Sequence, residues 1–133
     1  MQHKEEVKQW IKLADNDLAL AEHTAKTMRP IPYEIVCFHC QQFAEKYLKA
    51  FLVSKGKEPP YIHDLLKLVS LCEIENSNFM QIKQKCIILT QYGVQPRYPG
   101  NMQIIEEDMI RSLQLAADIK TFILEKLPEL FSN

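Results

Sequence analysis

The stretch CFHCQQFAEKYLKAFL, Cys37 to Leu52, packs two cysteines, a histidine, a glutamate and two lysines into sixteen residues. Laid out at about 100° per residue, Val36, Cys37, Cys40, Phe43, Ala44, Tyr47, Ala50 and Phe51 share one broad arc. His39, Gln42, Lys46 and Lys49 share the opposite arc, with Glu45 at its edge. That division predicts an amphipathic helix. It also answers the metal question raised by so many ligand-type side chains. Cys37 and Cys40 stand one turn apart, but His39 projects roughly 100–160° away from both. Three ligands from this segment therefore cannot close on one tetrahedral ion. The cysteines read as small core residues, and no metal or cofactor is called for.

Helical spacing continues on both sides. From Val7 to Met28, the residues Trp10, Ala14, Leu18, Ala21, Ala25 and Met28 recur three or four apart. Arg29-Pro30-Ile31-Pro32 ends that helix, because a proline disfavours the helical conformation in the residue before it. Pro32 suits the first turn of the second helix, which runs to about Lys55 with Gly56 as its stop. Lys57-Glu58-Pro59-Pro60 is a connector. HDLLKLVSLC, His63 to Cys72, is a short apolar helix, and His63-Asp64 at its start suits local capping. Asn76-Ser77-Asn78 offers capping oxygens for a fourth helix carrying Phe79, Ile82, Cys86 and Leu89. YGVQPRYPGN, Tyr92 to Asn101, is the longest irregular stretch. A last helix is expected from about Gln103 to Leu127, with Glu106, Glu107 and Asp108 at the positive end of its dipole. Long helices and short connections predict an all-α, antiparallel up-and-down bundle of four long helices plus one short helix.

The whole chain sets the frame. Its 133 residues fit one domain, residues 1–133, around a single core. With 47% hydrophobic and 25% charged residues, the chain needs neither metal nor disulfide to fold. Three glycines leave little room for a phosphate-cradling loop. A net charge of -1 argues against broad adhesion to nucleic acid or membrane, while leaving room for a local basic patch. No apolar run approaches the ~18 residues of a membrane span, and the charged start MQHKEEVKQW lacks a secretory signal's apolar stretch. Cys37, Cys40, Cys72 and Cys86, all in helical apolar surroundings, are expected to be free thiols in a reducing cytoplasm.

The polar strip of the second helix has two readings. By pattern alone it is a solvated helix face. Histidine and glutamine are unusual choices for such a face, however, and the nearby loop carries Arg97 between Tyr92 and Tyr98. Cationic donors beside aromatic faces are what phosphate and base recognition use. Asp17, flanked by Ala14, Leu18 and Ala21, is placed to pair with a cation across the bundle.

Four segments together resemble the HEPN domain, a family named for its occurrence in higher eukaryotes and prokaryotes. They are ADNDLALAEH (Ala14 to His23), CFHCQQFAEKYLKAFL, HDLLKL (His63 to Leu68) and YGVQPRYPG (Tyr92 to Gly100), in that order. The resemblance implies a helical bundle, a homodimer and association with nucleotides or RNA. It further implies a minimal nucleotidyltransferase as partner, in a pair of toxin and antitoxin type. Catalytic members of the family are metal-independent ribonucleases, marked by an arginine followed after about four to six residues by a histidine. Arg97 occupies the arginine's place, but Met102, Gln103 and Ile104 stand where the histidine belongs, and no histidine follows His63. Neither methionine nor glutamine moves a proton near neutral pH.

Three functions compete on these grounds. The first is a nucleotide- or RNA-binding protein using His39, Gln42, Lys46, Lys49, Tyr92, Arg97 and Tyr98. The second is a helical interaction module without ligand. The third is a ribonuclease with an atypical site built from Arg97 with His39 or His63.

Overall fold

The structure, a computed structural model, describes residues 3–93 and 103–131. Five α-helices and no strand occur among them: α1 (Lys4–Thr27), α2 (Tyr33–Ser54), α3 (Leu65–Glu75), α4 (Lys83–Thr90) and α5 (Glu106–Glu125). The all-α expectation holds.

The second helix is the axis of the molecule. α2 packs along most of its length on α1 and also meets α5, α3 and α4, whereas α1 and α5 scarcely touch. Its partners on α1 run backwards. Asp15 and Asp17 meet Tyr47 and Lys46, and Trp10 meets Lys49 further along. The two helices are therefore antiparallel. Every member of the apolar arc read from the sequence, Val36 through Phe51, is buried. Buried residues from all five helices join one cluster, and each covered Leu, Ile or Phe contributes ~1.5–3 kcal/mol. Aromatic rings tie the far layer together: Phe51 lies on Phe79, and Phe79 meets Phe122 edge-on.

The ends of the helices follow the local chemistry. Pro32 precedes the first residue of α2, and Gly56, at φ 73°, takes the left-handed turn that closes it. Asp64 caps α3 through the Leu66 amide at 2.9 Å. Asn76 does the same for Asn78 at 3.0 Å.

Two expectations need correction. The fourth rod is divided: Ser77–Ile82 forms a tight 3-10 segment that passes into the eight residues of α4. Phe79 and Ile82, three apart and both buried, suit that tighter winding, in which residues three apart line up. The long helices are consequently three in number among the described residues, with α3 and α4 shorter. Met28, assigned to the buried face of α1, is the extended residue that closes the helix, and its side chain is half exposed.

Candidate functional site

The polar strip of α2 is not a solvated face. Neighbouring elements cover it, and its charges are organised around two carboxylates. Asp17 of α1 accepts from His39 Nδ1 at 3.0 Å through one oxygen and from Lys46 Nζ through the other. One turn further along α2, Glu45 accepts from Lys49 Nζ at 3.1 Å and from His63 Nδ1 at 3.0 Å. The cation expected opposite Asp17 is thus Lys46, joined by an imidazole.

Burial separates the two clusters. Side-chain exposure is 21% for His39 and 24% for Lys46. The Glu45–Lys49 pair is drier still, at 5% and 6%. Lys49 also lies over the Trp10 ring, its Nζ 5.7 Å from the ring centroid. A buried ion pair recovers its desolvation cost only when the geometry and further hydrogen bonds are good. Glu45 has both: each of its oxygens is engaged.

His63 is the exception to this burial. Its side chain is 73% exposed, yet its ring is held by the 5% exposed Glu45. An ionised carboxylate only accepts, so Nδ1 carries the proton and Nε2 is left facing solvent. The capping role at the start of α3 belongs to Asp64 alone.

Gln41 joins this group to the loop that follows α4. It is fully buried, donates to the His63 carbonyl at 2.9 Å and accepts from Gln42 Nε2 at 2.8 Å. A Cβ added to Gly93 would lie 3.0 Å from Gln41 Nε2, so a larger residue there would have to displace the Gln41 amide. The Thr90 hydroxyl accepts from the Leu65 amide at 2.9 Å, fastening the end of α4 to the start of α3. Gly93 therefore lies against Gln41, whose amide bonds the His63 carbonyl. Arg97 and Tyr98 lie outside the described residues.

Tyr92 offers no open ring face. It is 5% exposed and donates its hydroxyl to Asp108 at 3.1 Å, while the other Asp108 oxygen accepts from the Ile105 amide at 2.9 Å. Burial, and then the Asp108 contact, push the Tyr92 phenol up to about 12. Lys49, expected to reach phosphate, is likewise enclosed and committed to Glu45. The residues that sequence reasoning missed are Trp10, Gln41 and Glu45. The Glu45–Lys49 spacing of four was the one available signal.

The cysteines are core residues as expected. All four are buried and unbridged, and no group of three His, Cys, Asp or Glu side chains among the described residues could hold a metal ion. Burial pushes the Cys37 thiol up to about 11 and Cys86 to about 12, with Cys40 and Cys72 raised further. No described helix is long and apolar enough to cross a membrane. A shallow cavity of about 210 Å³ between α1 and α5 shares no residue with the strip.

Comparison with known proteins bears on this architecture. The HEPN domain family model matches residues 7–127, nearly the whole described chain. The chain belongs to the HEPN domain family. The crystal structure of TT1696 from Thermus thermophilus shares the fold at a TM-score of 0.76 and 23% identity, over 90% of this chain and 97% of that one. The crystal structure of an archaeal HEPN homologue is similar at a TM-score of 0.71 and 28% identity, over 90% and 96%. No curated protein matches. Membership in the HEPN family supports a nucleotide- or RNA-related function.

Proposed function

We propose that this HEPN protein binds a nucleotide or an RNA segment at the open end of the α2 strip, around His63. One observation carries the reading. An exposed imidazole is held in a single orientation by a buried carboxylate, which is itself fixed by a buried lysine. Ordering an exposed side chain and drying an ion pair both oppose folding. The fold gains little from either, whereas a ligand meeting Nε2 gains from both.

His63, Gln42, His39 and Lys46 supply hydrogen-bonding groups at this edge, and we assign Arg97 and Tyr98 to the same ligand on their place in the sequence. The protein acts as a homodimer with a minimal nucleotidyltransferase partner, as a pair of toxin and antitoxin type. That assembly is carried over from what the sequence resemblance implies, and co-purification with the partner tests it.

Ligand binding is measured by thermal unfolding at low salt with nucleotides and short RNAs. A ligand at a hundred times its dissociation constant stabilises the fold by ~2.7 kcal/mol. For a domain of this size the melting temperature then rises by roughly 5–10 °C. His63→Ala should abolish the rise while lowering the unliganded melting temperature by no more than the loss of one hydrogen bond to Glu45. No rise with any nucleotide or RNA sinks the proposal.

A second reading rests on the same dyad. Nε2 of a carboxylate-oriented imidazole can take a proton from a 2′-hydroxyl, a role worth typically 10²–10⁴-fold in rate. It predicts chelator-insensitive RNA cleavage that His63→Ala removes. Intact RNA after incubation with partner-free protein excludes it.

A further inference from the structure

We infer that the site reads unpaired bases rather than phosphates, so that its ligand is single-stranded nucleic acid held against aromatic rings. This rests on the binding reading above and adds which part of the ligand is recognised.

Charge provides the first support. Lys46 is engaged by Asp17 and Lys49 by Glu45. The charges of those two lysines and two carboxylates sum to zero. A phosphate reaching Lys49 would have to replace Glu45, stranding a carboxylate of 5% exposure without its cation. The strip is therefore a poor phosphate site, in a chain whose net charge is only -1.

The groups left to solvent point the same way. Tyr61 is 95% exposed, and His63, two residues on, is 73% exposed, while Ile62 between them packs against the core. The connector thus turns two rings outward on either side of one anchoring residue. Trp10 stands on the other flank of the Glu45–Lys49 pair, half-buried and braced by Lys49. Tyr61 and His63 thus present exposed rings on which a base can stack, since every base has a π-face. The His63 Nε2 and the Gln42 amide add base-edge hydrogen bonding.

The test uses the full chain, a labelled single-stranded oligoribonucleotide of mixed sequence, its duplex and the component mononucleotides. Affinity is read by anisotropy over a range of salt. Each phosphate contact contributes a slope of about -0.7 in log affinity against log salt for single strands. The expected slope is shallower than about -1.5, two contacts or fewer. Tyr61→Ala, at a site with no packing to lose, should weaken binding roughly five- to a hundredfold with unchanged melting temperature. Emission from Trp10, the sole tryptophan, should change as the strand binds.

A slope steeper than about -3, with Tyr61→Ala binding as wild type, overturns the inference and leaves the binding site standing. Equal affinity for the duplex or for a mononucleotide overturns it as well. Absence of binding by every nucleic acid at low salt removes the site itself.

Discussion

At the scale of single residues, Glu45 is where fold and site meet. It neutralises Lys49 inside the molecule and orients His63 outside it. Glu45→Gln keeps the shape but leaves Lys49 as a buried charge without its counterion, which costs ~3–5 kcal/mol. The melting temperature should fall by roughly 10 °C or more. Adding Lys49→Met removes the stranded charge, and most of the loss should be recovered, because a dry pair replaced on both sides by neutral groups is often near neutral in stability. If the double variant melts as low as the single, the cost lies in packing and the electrostatic account is wrong. The pair has a functional corollary. The double variant frees the His63 ring from its carboxylate, so ligand binding should stay impaired even where stability returns. Stability and binding are thereby separated at one side chain.

Among the elements, the junction of α4, the following loop and α5 is the one most exposed to test. Asp108 sits in the first turn of α5 and serves two groups: the Ile105 amide, which it caps, and the Tyr92 hydroxyl from the far side of the loop. Asp108→Ala loses a cap, ~1 kcal/mol, and leaves a buried hydroxyl unpaired, a further ~1–3 kcal/mol. Melting should drop by roughly 6–15 °C. In a double-mutant cycle Tyr92→Phe should rescue part of that loss, and strict additivity would show that the clasp contributes nothing. The acidic first turn was legible in the sequence because capping is local, as were Asp64, Asn76 and Gly56. The apolar arc of α2 was legible too, since a helical period places side chains on one side whatever lies opposite. What covers the other arc was legible only in Asp17, expected to meet a cation across the bundle. A wheel shows that His39, Lys46 and Lys49 share an edge, but Asp17 and His63 reach that edge from distant segments. Their arrival turns an exposed donor row into two closed carboxylate clusters. The winding of Ser77–Ile82 was hidden for another reason: a spacing of three fits both the 3-10 and the α period.

For the whole molecule, a core that encloses free thiols fixes how stability responds to alkali. The folded chain holds the Cys37 proton to about 11 and the Cys86 proton to about 12, against an ordinary value of 9.0. Burial, and then a neighbouring cysteine, shifts Cys40 and Cys72 in the same direction. The unfolded chain gives these protons up first, so above about pH 9 it binds fewer protons than the native state, and stability falls as pH rises. The contribution is fully present below the unfolded value and is lost progressively up to the folded one. Each thiol steepens the fall by up to ~1.4 kcal/mol per pH unit. The buried Tyr92 phenol, raised from 10.0 to about 12, adds in the same sense at higher pH. Urea midpoints in reducing buffer should therefore hold level to about pH 8.5 and decline between about pH 9 and 10. Replacing the four cysteines by alanine lowers stability throughout, but it should flatten the decline. A wild-type midpoint that stays level to pH ~10, or a decline just as steep in the cysteine-free chain, would mean that the thiols are not enclosed as the packing around α2 requires.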